Sequence, residues 1–158
     1  MKRSLPSLGA RDVGSAAPSI DDARAALGGR VSLRHDARIG GLARFHDARG
    51  REIEGIVVCE TDAHLDVWIG DGRFQRIATD RASITATSPD HPLADVAADA
   101  RLFLALLEGQ RVRFLARDGS SHEGVLAERC RYGALVSFES RLFAVSFRRL
   151  WPLESGGA

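Results

Sequence analysis

Along the middle of the chain, apolar residues recur at every second position. Leu65, Val67 and Ile69 alternate with Asp66 and Trp68, and Ala134, Val136 and Phe138 alternate with Leu135 and Ser137. A spacing of two puts one set of side chains on a single face, which predicts β-strands. Turn residues punctuate these runs. Asp-Ala-Arg-Gly ending at Gly50 and Arg-Asp-Gly ending at Gly119 sit between apolar stretches, a hairpin signal with glycine supplying positive φ. Gly55 and Gly124 fall inside predicted strands, where a missing side chain marks strong bending or a bulge. Two segments carry helical spacing instead. Leu93, Val96, Ala97, Ala100, Leu102 to Leu104 and Leu107 form an apolar stripe that stops before Gly109. Earlier, Ser19 can cap a shorter helix from Ile20 to Leu27 that ends at Gly28-Gly29.

The pattern occurs twice. Residues 43–55 (ARFHDARGREIEG) and 112–124 (VRFLARDGSSHEG) align without a gap at an offset of 69, matching at Arg44/Arg113, Phe45/Phe114, Gly50/Gly119, Glu54/Glu123 and Gly55/Gly124. Beyond this window each copy continues as strand, polar turn and strand, over 56–72 and 125–141, and then as apolar residues broken by a polar or Arg-containing turn, over 73–84 and 141–153. About five short strands per copy predict a small SH3-like barrel. The expected fold is therefore mainly β with short helices: two tandem five-stranded barrels, each preceded by a helix. The expected division is a flexible segment at 1–18, a first unit at 19–87, a second at 88–153 and a flexible tail at 154–158. The stretch Arg30 to Ile39 has no counterpart in the second copy and is a candidate extra strand.

Composition narrows the class. The 158 residues are 44% hydrophobic and 27% charged, the balance of a globular chain rather than a disordered or fibrous one. No apolar run approaches the ~20 residues that cross a bilayer, and the first nineteen residues are too rich in Gly, Ser, Pro and Ala for a signal peptide. A cytoplasmic protein is expected. Cys59 and Cys130 stand singly, without CxxC or paired His, so neither a zinc site nor a disulfide framework is indicated and no metal or cofactor is expected. Lys2 is the only lysine; the other basic residues are arginines, planar forks suited to phosphate, carboxylate or base edges. The net charge of +1 is unevenly spread: Arg30 to Thr87 is balanced, Ser88 to Glu108 carries −3 and Gly109 to Leu153 carries +4. A polyanion would meet the C-terminal third.

A helix followed by five bent strands, with glycine at these points, resembles the Sm-like fold and specifically the bacterial Hfq type of RNA chaperone, twice over. The family's first motif has a hairpin Gly, a strand Gly about five residues on, an Asp and an apolar-Asn-apolar triplet. The first copy offers Gly50, Gly55, Asp62 and Leu65-Asp66-Val67, with Asp66 replacing the Asn; the second offers Gly119, Gly124 and Cys130-Arg131-Tyr132. There the Hfq type carries Asp-Gln-aromatic, so Tyr132 matches the aromatic and Arg131 replaces the Gln. Leu150-Trp151-Pro152 is similar to the end of the last Hfq strand. The Lys-His pair of the Hfq uridine site is absent: Ala144-Val145 stand there in the second copy, and Asp80-Arg81 lies nearby in the first. The resemblance implies single-stranded RNA as partner and a ring closed by strand edges of neighbouring subunits. Two units per chain would make that ring a trimer with pseudo-hexameric symmetry.

The candidate RNA-binding residues are Arg129, Arg131, Tyr132, Arg148 and Arg149 in the second copy, with His64 set opposite Tyr132 in the first. Tyr132 offers a stacking surface for an unpaired base and the arginines contact phosphate, the combination of single-strand sites. The competing reading is that Tyr132 packs over a barrel end and the arginines form a solvated face. Trp68 and Trp151 read as packing residues. No Gly-rich phosphate loop, HExxH, GxSxG or acid/base carboxylate pair occurs, and Glu54 and Glu123 recur in both copies as a structural feature would, so no enzyme is expected. The alternative function is a protein-interaction or scaffold module, in which the same barrels bind a peptide by strand addition.

Overall fold

The structure, a computed structural model, is described for residues 19–30, 37–70 and 72–153. In chain order the elements are helix α1 (Ile20–Ala26), strands β1 (Leu42–His46), β2 (Glu52–Glu60), β3 (His64–Gly70), β4 (Arg73–Ala78) and β5 (Ser83–Thr85), helix α2 (Ala94–Leu104), and strands β6 (Arg111–Leu115), β7 (Ser121–Arg129), β8 (Gly133–Phe138), β9 (Arg141–Ser146) and β10 (Leu150–Pro152). One-turn 3-10 helices, Thr79–Arg81 and Phe147–Arg149, join β4 to β5 and β9 to β10. The fold is mainly β: two antiparallel five-stranded sheets, ordered β4-β3-β2-β1-β5 and β10-β6-β7-β8-β9, with two short helices.

The two sheets repeat each other in register. Gly50 and Gly119 close equivalent hairpins, with N–H bonds back to the Asp47 and Ala116 carbonyls at 2.9 and 3.0 Å and φ of +79° and +89°. Gly55 faces Ala43 as Gly124 faces Val112. A Cβ on Gly124 would come within 2.6 Å of the Ser137 carbonyl oxygen, and one on Gly55 would overlap that of Trp68. Each long strand is then irregular at the same place, between Val57 and Cys59 and between Leu126 and Glu128. Such an irregularity bends the strand, so β2 and β7 curve around their cores.

Two expectations change. The sheets are not closed barrels: β4 and β5 each pair with one strand and not with each other, as do β9 and β10. A 3-10 turn separates these outer strands, and β5 and β10 are only three residues long. The helices are also exchanged relative to chain order. The compact units are Ser32–Leu104, and Met1–Val31 together with Ala105–Ala158, rather than 19–87 and 88–153. α2 packs on β2, burying Val96, Ala97, Ala100 and Phe103, while α1 packs on β8 and β9. The exchange is a matter of fit. Gly40, ahead of β1, lets the Ala97 carbonyl and the Arg101 side chain of α2 approach, and its carbonyl accepts bonds from Thr87 Oγ1 (2.8 Å) and Arg101 Nη2 (3.2 Å). Ala23 and Leu27 of the α1 segment fill a core with Cys130, Leu135 and Ala144.

Leu102 and Leu107, assigned by spacing to the buried stripe, are 40% and 67% exposed, whereas Leu106 is buried. The proposed flexible ends at 1–18 and 154–158 and most of the extra strand, 31–36, lie outside the described residues. Among the described residues no helix is long and apolar enough to cross a membrane.

Candidate nucleic-acid interface

The interface is organised by the turn between β7 and β8. The Cys130 N–H donates to the Gly133 carbonyl at 2.8 Å and closes this turn, carrying Arg131 and Tyr132 at its tip. The Tyr132 carbonyl accepts the Phe147 N–H at 2.8 Å, which draws the 3-10 turn Phe147–Arg149 alongside. Ser146 caps that turn by accepting the Arg148 N–H on its Oγ at 3.2 Å. Phe147 is fully buried and anchors the segment. Arg131, Tyr132 and Arg148 thus share one end of the sheet, all three half-buried.

Arg129 and Arg149 bond to the main chain of the same unit. Arg129 Nη1 donates to the Leu106 carbonyl, and the Arg129 N–H donates to Glu108 at 3.0 Å. Arg149 Nη1 reaches the Ala116 carbonyl at the β6–β7 hairpin, 3.3 Å away. The Arg149 bond is the second that the Ala116 carbonyl accepts, beside that of the Gly119 N–H. His64 belongs to the other unit and is not the counterpart of Tyr132. Its carbonyl closes the β2–β3 turn by accepting the Thr61 N–H, as Gly133 does for Cys130, and Ala63 accepts the Thr79 N–H as Tyr132 accepts that of Phe147. Ala63 therefore occupies the tyrosine position, and the first sheet carries no aromatic there.

The helix α1 segment meets the same turn. The Arg131 N–H donates to the Gly29 carbonyl at 3.0 Å and the Tyr132 N–H to that of Leu27 at 2.9 Å. Arg24 grips Glu128 through both Nε and Nη2, the latter at 3.0 Å, and Arg30 Nη1 lies 3.2 Å from Glu108 and 3.4 Å from Glu128. The Arg129 N–H, followed by the charge of Arg30, holds the Glu108 carboxyl below the usual carboxylate range. Burial pushes the Cys130 thiol up to about 11, so it is a core residue and not a thiolate nucleophile. The recurring glutamates form cross-strand ion pairs: Glu54 with Arg44 at 2.7 Å and Glu123 with Arg111 at 2.9 Å. Arg44 holds the Glu54 carboxyl below its ordinary range.

The first sheet differs where the second is filled. A cleft of about 570 Å3 runs between the end of β1 and β4 with its following turn, lined by Phe45, His46, Gln75, Arg76, Asp80 and Arg81 among others. By register Gln75 corresponds to Phe143 and Thr79 to Phe147. In the second sheet Phe143 packs with Phe114 and Phe138, at ring-centroid distances of 5.8 and 6.1 Å. The sequence signal was present in the exchange of Phe for Gln and Thr, but only the register identifies these as equivalent places.

Comparison with known protein families finds no family that matches this chain. Comparison with curated proteins likewise finds no match.

Proposed function

We propose that the chain is a binding protein rather than an enzyme, taking single-stranded RNA on the second sheet through Arg131, Tyr132 and Arg148. The observation that carries this reading is the segregation of charge once the helices are assigned by packing. Over the described residues, the unit Ser32–Leu104 holds eight Arg against ten acids, or −2, and the other holds ten Arg against seven acids, or +3. A polyanion is steered to the basic unit, and the surface there pairs an aromatic ring with arginines. Arg129 and Arg149 also bond the Leu106 and Ala116 carbonyls of that unit, and His64, in the other unit, takes no part. The Sm-like, Hfq-type likeness is supported by the paired hairpin glycines and by bent strands in matching register. Two buried free cysteines suit a cytoplasmic protein.

Titrating a single-stranded RNA library across a salt series tests the reading. Affinity is expected to fall linearly on a log–log plot, with a slope of about −0.7 for each phosphate contacted. Arg131→Ala with Arg148→Ala should flatten that slope, and Tyr132→Ala should weaken binding by about 1–3 kcal/mol if one base stacks on the ring. Binding that is absent or insensitive to salt overturns it.

The outer strands β4, β5, β9 and β10, each paired on one side only among the described residues, favour a second role in assembly. Edge pairing between copies would close three chains into a pseudo-hexameric ring, and sedimentation at micromolar concentration should then give three times 17.1 kDa. A monomer without RNA affinity would instead leave the scaffold reading, with the same edges adding a partner's strand.

A further inference from the structure

We propose that α1 is a cap over the Tyr132 site, so that RNA affinity is set by how often this helix lifts. The inference rests on the RNA reading above and concerns the regulation of that site. Gly28, at φ +84°, lies directly on the tyrosine: a Cβ there would stand 2.7 Å from Tyr132 Cε2 and 2.9 Å from Cζ. The ring is therefore crowded on its Cε2–Cζ side by the backbone that follows the helix and is half-buried, and a base stacking against that side needs the space the backbone holds. The helix also takes up the donors of the turn. The Arg131 and Tyr132 N–H groups, adjacent in sequence, both end on carbonyls of the Leu27–Gly29 segment. Lifting the cap returns two neighbouring backbone donors, and backbone N–H groups are ordinary phosphate ligands.

The cap is built to be reversible. α1 has seven residues, well short of the ~12–15 at which an isolated helix holds in water, so it persists only through what it docks against. Among the described residues its attachments include the Arg24–Glu128 pair, Arg30 with Glu108 and Glu128, two main-chain bonds, and the burial of Ala23 and Leu27. Two states follow. In the docked state Tyr132 is half-buried and the Arg131 and Tyr132 N–H groups are bonded to the α1 segment; in the lifted state ring and donors face solvent together. A ligand that binds only the lifted state has its apparent affinity reduced by the fraction lifted.

Tyr132 is the only tyrosine in the chain, which gives a readout independent of RNA. Its nitration by tetranitromethane, followed by mass spectrometry of the peptide that contains it, reports the lifted fraction. Two substitutions open the cap without changing net charge: Gly28→Ala, which places a methyl against the ring, and the pair Arg24→Gln with Glu128→Gln. Circular dichroism confirms that the sheets remain folded. Both variants should nitrate several-fold faster and bind a single-stranded RNA library on the order of tenfold more tightly, and Tyr132→Ala in the Gly28→Ala background should abolish the gain. Faster nitration with RNA affinity unchanged or weaker overturns the cap while leaving the RNA reading standing. Unchanged nitration in both variants also overturns it. RNA affinity absent from parent and variants alike overturns the RNA reading itself, and the regulatory role falls with it.

Discussion

Leu27→Ala is expected to cost about 2–5 kcal/mol, and to take that stability from strands that begin more than eighty residues later in the chain. Leu27 is 1% exposed and packs with Cys130 of the β7–β8 turn and with Leu135 and Ala144 of the second sheet. Removing three carbons from that core forfeits their transfer from water and leaves a cavity the surrounding strands fill only in part. Native-state hydrogen exchange resolves where the loss falls. Protection should drop in β8 and β9 and hold in β1 to β3. The mirror substitution is Phe103→Ala on α2, at about 3–5 kcal/mol, and it should loosen β1 to β3 while β7 to β9 keep their protection. Losses in the opposite order, with each helix serving the strands that follow it, would sink the exchanged arrangement.

That arrangement was not legible in the sequence, and the reason is general. Helical spacing in Val96, Ala97, Ala100 and Phe103 shows that a face is buried, but a stripe of apolar side chains carries no address. The address comes from shape: Gly40 admits the α2 backbone, and small Ala23 lets α1 lie close to Cys130 and Ala144. Local features fared better because their causes are local. The hairpins at Gly50 and Gly119 needed positive φ at one position, and glycine announces it. The bend of β2 and β7 was announced by Gly55 and Gly124, although the irregularity itself falls two to four residues later. Closure of the sheets was overestimated because strand count and curvature were legible, while the lengths of β5 and β10 and their single partners were not.

The same division runs through the candidate site. An arginine advertises charge but not the carbonyl it bonds, so the reach of Arg129 to the Leu106 carbonyl and of Arg149 to that of Ala116 was not legible in the sequence. His64 was set opposite Tyr132 by a one-residue slip that turn hydrogen bonds correct. Charge shows the opposite case. By sequence segments the first copy is neutral and the linker acidic; by packing, the acidic linker helix joins the first sheet, while the α1 segment that joins the second is neutral over residues 19–30. Exchange of the helices deepens the polarity between the units, which no reading by segment would reveal.

The turn that carries Tyr132 depends on an equally unannounced glycine. Gly133→Ala is expected to destabilise the second sheet by about 3 kcal/mol, the upper part of the range for overpacking. Gly133 pairs with Ser146 at the start of β8, and a Cβ there would overlap the Val145 carbonyl oxygen and stand 2.9 Å from Ser146 Cα. Both obstacles are backbone, so no rotamer change relieves them; β8 and β9 must separate, which strains the Cys130–Gly133 and Tyr132–Phe147 bonds that shape the turn. The equivalent position in the first sheet is the control. His64 already carries an exposed side chain opposite Ala78, so His64→Ala should change stability by no more than about 0.5 kcal/mol. Urea denaturation of the two variants gives the comparison directly. A Gly133→Ala variant as stable as the parent would mean that β8 and β9 lie further apart at this end, and the geometry assigned to the Tyr132 turn would have to be abandoned with it.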